Sequence, residues 1–177
     1  ELESKGVQFL SNTDSEVVLN SLIHWGPEAI LKFNGMFAFA FWDRKERILI
    51  LARDRYGIKP LYYAQQEKLF AFGSEHKSII AIPDFRKKLN KSALLEYFTF
   101  QNIFSDQTLL KNIKILPPGT FLRLDSKTQK KEFTQYWDYS FQNSNNCKNK
   151  LEYQEELNRL FFQAVDRQLI GDVEIGA

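Results

Sequence analysis

Asp14 holds the position in this 177-residue chain best suited to recognising a ligand. It stands in Ser11-Asn12-Thr13-Asp14-Ser15-Glu16-Val17, where Thr13 and Glu16 have the spacing of a capping box and Asp14 falls in the first turn of the helix that follows. The positive end of the helix macrodipole favours negative charge there, so a carboxylate at Asp14 is suited to hold the ammonium group of a ligand. The same carboxylate could simply finish the helix cap, and composition alone favours that role. A second charged group, Arg53-Asp54-Arg55, precedes Gly57. Its pattern predicts an internal Arg53–Asp54 ion pair that pins the loop, a packing device rather than a catalytic one.

The other reactive side chains carry less. His24 and His76 lie far apart, with no partner residues at metal-ligand spacing around either, so both read as packing or surface residues. No serine sits in a G-x-S-x-G elbow and no glycine-rich phosphate loop occurs. Cys147, the single cysteine, lies in a polar stretch with neither a base nor a helix N-terminus to activate it. One cysteine excludes an internal disulfide framework and a cysteine-based zinc site, and fits a reducing compartment such as the cytoplasm. With 24 basic against 22 acidic side chains, the net charge of +2 gives no strong field for nucleic acid or an anionic membrane. No run approaches the roughly 20 apolar residues of a membrane span. The 16 Phe and 7 Tyr fall in strand alternation without interleaved basic residues, which assigns them to a core rather than to base stacking.

Around Asp14 the pattern predicts a helix through Trp25, and Pro27 opens a second short helix to about Phe33. Phe37, Phe39 and Phe41 alternate with Met36, Ala38, Ala40 and Trp42, the mark of a strand covered on both faces. Asp43 to Glu46 is a hairpin turn into a returning strand, Arg47 to Ala52. Leu61–Ala64 and Leu69–Phe72 form another hairpin, after which Ser74 is a plausible cap for a short helix through Ile80. Asn90 to Phe98 is an amphipathic helix. Phe121–Leu124 and Thr134–Trp137 are a last pair of strands, with Pro117-Pro118-Gly119 as a rigid turn between them. Ser140 to Lys150 is polar and aperiodic and reads as a linker, followed by a helix from Leu151 to Ile170. Glu1 to Gly6 resembles the last turn of a helix and Asp172 to Ala177 a strand just beginning, so both ends read as cuts.

Five of these segments together resemble the glutamine-hydrolysing asparagine synthetases, whose N-terminal domain is a class II glutamine amidotransferase of the N-terminal-nucleophile fold. They are Ser11 to Val17, Asn34-Gly35-Met36-Phe37-Ala38-Phe39-Ala40, Arg53 to Tyr63, Gly73-Ser74-Glu75-His76-Lys77, and Leu116-Pro117-Pro118-Gly119. The resemblance implies an α+β fold class: an αββα sandwich of the N-terminal-nucleophile type, incomplete here, followed by the first helix of a synthetase domain. Residues 1–139 would be a partial glutaminase domain, 140–150 a linker, and 151–177 the start of an ATP-dependent synthetase domain. The implied reaction hydrolyses glutamine and delivers ammonia to a β-aspartyl-AMP intermediate made from aspartate and ATP.

By position, Asp14 matches the family carboxylate that binds the glutamine α-amino group. Ser74-Glu75 matches a segment near the glutamine pocket, with no chemical role assigned. The family nucleophile, a cysteine exposed as residue one, has no counterpart, since the chain starts at Glu1. The carboxylate-binding arginine, the Asn-Gly-Glu oxyanion segment and the pyrophosphate loop are likewise absent, so no catalytic or metal residue is expected here and the isolated polypeptide is expected to be inactive. ATP and Mg2+ belong to the missing synthetase domain. Glutamine, aspartate and ATP are the implied substrates, and a homodimer is open. Two rival readings stand beside this one. The first is a related amidotransferase with another acceptor, β-lactam-synthetase-like or surface-sugar-modifying; the second is a catalytically inactive glutaminase-like binding domain.

Overall fold

Strand β2 (Ile48–Arg53) sends Leu49 and Leu51 to one side and Ile50 and Ala52 to the other, and all four are buried. Apolar residues at both parities suit a strand covered on both faces. The computed structural model, which describes residues 1–67, 69–141 and 149–169, puts β2 inside a four-stranded antiparallel sheet. Its order is β1-β2-β6-β7, with β1 Ala38–Asp43, β6 Thr120–Asp125 and β7 Lys131–Gln135. A second antiparallel sheet has the order β4-β3-β5, from β3 Tyr62–Gln66, β4 Leu69–Gly73 and β5 Ile113–Ile115.

Three apolar clusters define the layers. Leu49, Leu51, Leu122 and Leu124 of the larger sheet meet Leu61, Tyr63 and Leu116 from the smaller sheet and its flanks. On the opposite face of the larger sheet, Ile50, Ala52, Phe39 and Phe41 pack against Leu22 of helix α1 (Asp14–Trp25) and against Ala29 and Ile30 of a 3₁₀ helix, Gly26–Lys32. On the outer face of the smaller sheet, Ala64, Ala71 and Ile113 pack against Ile79 of α2 (His76–Ile80) and against Phe85. Helix, sheet, sheet, helix is the layering expected of an αββα sandwich.

Contacts divide the chain into Glu1–Tyr139 and Ser140–Ala177. In the second unit, α4 (Lys150–Gln168) is capped by Asn149, whose side chain accepts from Glu152 N, and none of its residues is buried. Most of the expected linker, Cys147, Ile170 and the expected strand at Asp172–Ala177 lie outside the described residues.

Several expectations shift. Helix α1 starts at Asp14, yet Thr13 makes no side-chain cap bond; the Glu16 carboxylate instead reaches back to Leu10 N and to Ser11 N and Oγ. These bonds hold the Glu16 carboxyl below its ordinary pKa. The residue preceding helix α2 is Glu75, not Ser74, and its side chain makes no cap bond. The Pro117-Pro118-Gly119 turn lies between β5 and β6, and the last strand pair is joined instead through Ser126 to Lys130, where Asp125 accepts from Lys127 N and Thr128 N. Strand β5 escapes sequence reading because three residues are too few to show a period. Helix α3 (Lys91–Phe100), capped by Asn90, buries only Ala93 and so lacks the expected amphipathic contact face. On β1, Ala38 packs against the inter-sheet core but Ala40 and Trp42 are exposed, so the second face expected to be covered is covered only at its start.

The loop after β2 departs most. No ion pair joins Arg53 to Asp54; backbone satisfies each of them. The Asp54 carboxylate, 1% exposed, accepts from Tyr56 N, Ile58 N and Lys59 N at 3.0–3.1 Å. The Arg53 guanidinium donates to the carbonyls of Lys59 (2.9 Å), Leu116 (2.7 Å) and Gly57 (2.6 Å). Burial lowers the Arg53 pKa and the charge of Asp54 partly restores it. Gly57 has φ +65°, and a Cβ there would lie 2.8 Å from the Arg53 guanidinium carbon, so this turn requires glycine.

Two stability outcomes follow from this packing. Asp54→Ala leaves three amides without their acceptor and should cost about 3 kcal/mol, read as a lower urea midpoint; a loss below about 1 kcal/mol would show that water replaces the carboxylate. His76 packs on Tyr62 with ring centroids 4.0 Å apart, its Nε2 is buried without a partner, and burial pushes its pKa below 6.5. The fold therefore prefers neutral His76, so this stability is fully present above the ordinary pKa and is lost as pH falls through the folded value. Denaturation midpoints should begin to drop as pH falls through the ordinary histidine value of about 6.5, and His76→Phe should flatten that slope.

Candidate functional site

A cavity of about 620 Å³ opens where four segments converge. The first turn of α1 contributes Asp14 and Ser15, and its next turns Val18 and Leu22. Residues Met36 to Phe41 form a wall along β1, Lys59 and Pro60 come from the loop after β2, and Ser74 follows β4. Apolar walls with a few convergent polar groups are the usual make-up of a small-molecule site.

Each wall is held by a local device. Helix α1 packs through Leu22 onto the larger sheet, which directs its N-terminus, and with it Asp14, to the cavity. The Asp54 carboxylate shapes the turn that delivers Lys59 and Pro60. Asp54 N donates to Phe37 O at 2.9 Å, tying that turn to the approach to β1, while Gly119 N donates to Asp54 O at 2.9 Å. Gly119 has φ +59°, and a Cβ there would come 2.5 Å from Trp137 O, so the Pro117-Pro118-Gly119 turn closes tightly on the chain after β7. Tyr136 completes the cross-link, its hydroxyl donating to Arg53 O at 2.8 Å.

Asp14 is exposed, and among the described residues its Oδ1 accepts only a long 3.4 Å bond from Ser15 Oγ. It caps no amide, because the residue preceding the helix is Thr13 and the back-reaching carboxylate is Glu16. Its oxygens are thus available to the cavity. Ser74 shares the cavity with Asp14, whereas Glu75 pairs with Lys77 at 2.7 Å. Lys59 was not singled out by sequence reasoning. It is exposed and makes no ion pair among the described residues, and its only signal was its place within the Arg53 to Tyr63 segment. His76 belongs to a separate cavity with Tyr62, Tyr97 and Gln107. His24 packs edge-on against Trp25. Among the described residues no group of three His, Cys, Asp or Glu could hold a metal ion, and no helix is long and apolar enough to cross a membrane.

A family model described as a glutamine amidotransferase domain matches residues 1–137. Two Bacillus subtilis proteins named asparagine synthetase [glutamine-hydrolyzing] 3 and 1 are 35% and 34% identical, over 99% and 100% of this chain but 28% and 27% of their own length. The Penicillium rubens amidase chyE is 30% identical over 95% of this chain and 25% of its own. The chain thus spans roughly a quarter of the length of the curated relatives it matches. A solved glutamine phosphoribosylpyrophosphate amidotransferase from B. subtilis superposes on 77% of this chain and 25% of its own, with TM-score 0.49 and 15% identity. The family match takes in the α1 start, the β1 wall and the Asp54 turn alike, and the chain belongs to the glutamine amidotransferase domain family whose relatives here include the glutamine-hydrolysing asparagine synthetases.

Proposed function

We propose that this chain supplies part of the glutamine site of a glutamine-hydrolysing asparagine synthetase, a ligase, with Asp14 holding the α-ammonium group of glutamine. The observation that carries this reading is the placement of Asp14: an exposed carboxylate at a helix N-terminus, without a cap to maintain, on the wall of a mostly apolar cavity. An ammonium group there makes a charge-assisted hydrogen bond. Lys59 gives the same cavity a cation, so its charges complement an amino-acid zwitterion. The aliphatic stem of glutamine suits the apolar surface of Val18, Leu22 and β1.

The chain's own residues bind and orient; the bond-breaking group is assigned to a cysteine thiol outside this sequence. That thiol attacks the side-chain amide carbon, the C–N bond breaks, ammonia leaves, and water releases glutamate from the resulting thioester. The ammonia is then consumed by a β-aspartyl-AMP intermediate formed from aspartate and ATP in a synthetase portion, which 151–177 would begin. ATP and Mg2+ are assigned to that portion. Cytoplasmic location and a homodimer accompany this reading. The amidase relative supports a second reading, in which the same glutamine site feeds another acceptor.

In the complete polypeptide, Asp14→Asn should raise the KM for glutamine about 10- to 100-fold, the worth of one hydrogen bond to a charged group, while synthesis from added ammonia stays near the unsubstituted rate. Steady-state assays with the two nitrogen donors check this. Equal loss with both would return Asp14 to a purely structural role.

A further inference from the structure

Helix α3 and the turn after it display an apolar face. From Ser92 to Phe104 the only charged residue is Glu96, and α3 buries only Ala93. Leu95, Phe98, Phe100 and Phe104 are 69%, 74%, 61% and 73% exposed. Large apolar side chains exposed this far along one helix and its following turn mark a candidate interaction surface. The face is held firmly in shape. Glu96 accepts from Phe104 N at 2.7 Å and from Ser105 N and Oγ at 3.2 and 2.9 Å, which folds the turn back onto the helix. Phe100 and Phe104 then meet edge to face at 5.8 Å. The single charge is spent on this internal bracing, and the same hydrogen bonds keep the Glu96 carboxyl below its ordinary pKa.

We infer that this face docks against the remainder of the same polypeptide, the portion that the asparagine synthetase relatives carry outside the matched stretch. The inference rests on the reading of the chain as part of such a synthetase. Two observations select this occupant. The match covers 99% of this chain but 28% of the B. subtilis relative, so in that protein the same stretch is joined to a body larger than itself. A face with one charge in its whole length also has the composition of a permanent interface, whereas transient partners meet on more polar surface. A tethered occupant reaches it at high effective concentration without a separate binding event.

The test replaces Phe98 by the photoreactive analogue p-benzoyl-phenylalanine in the complete polypeptide, with Lys127→p-benzoyl-phenylalanine as a control on the exposed turn after β6. After irradiation, the Phe98 probe should yield a product of monomer mass whose cross-linked peptide lies outside residues 1–177, and the Lys127 probe should not. A product of dimer mass would assign the face to a second copy and overturn the inference, as would a cross-link confined to residues 1–177 or none at all. Amide synthesis from glutamine and from ammonia is measured on the same preparation. A cross-link without synthesis from either donor would refute the functional reading and leave the docking face standing; synthesis without the cross-link would do the reverse.

Discussion

Arg53 and Asp54 are neighbours in sequence, both buried, and neither satisfies the other. Taking a charged group out of water is costly unless hydrogen bonds replace the lost hydration. Here the replacement comes from backbone: three amides converge on the carboxylate, and the guanidinium reaches three carbonyls. The segments so tied are the turn carrying Lys59 and Pro60, the approach to β1 through Phe37 O, and the Leu116 to Gly119 turn. The first two are cavity walls. The polar interior of this loop thus does for the site what the apolar clusters do for the layers, and it fixes direction as well as distance because hydrogen bonds are directional.

The apolar clusters set the frame on which that loop is mounted. Leu49 and Leu51 face the inter-sheet core while Ile50 and Ala52 face α1 and the 3₁₀ helix. One strand therefore connects the two layers energetically. Helix α1 gains its position from Leu22 and Val18 against that outer face, and Asp14 inherits its place at the cavity from this packing. The ionisable groups on the surface contribute little by comparison: pairs such as Lys77–Glu75 and Arg86–Glu67 are more than half exposed on both sides and are screened by solvent.

Much of this was legible in the residues because it depends on periodicity. The Phe37-Phe39-Phe41 alternation, the hairpin at Asp43 to Glu46, the start of α1 at Asp14 and the paired β3 and β4 all show two- or near four-residue repeats. What was not legible depends on tertiary context. Capping-box spacing at Thr13 and Glu16 says nothing of whether Glu16 will prefer Leu10 and Ser11. Adjacent Arg53 and Asp54 suggest a pair, yet strand alternation sends consecutive side chains to opposite sides, where backbone from distant turns waits. Lys59 entered the cavity because a loop was folded around a buried carboxylate, a fact no local pattern carries.

Strand β1 stands at one margin of the four-stranded sheet, hydrogen-bonded to β2 alone among the described residues. Its outer row of amides and carbonyls runs along Ala-Phe-Ala-Phe-Trp, with no proline and no charge before Asp43. Such a margin is a template for strand addition. Purified by itself, this polypeptide would gather into assemblies through that row, and a lysine at Ala40, midway along it, is the natural gatekeeper for keeping it dispersed.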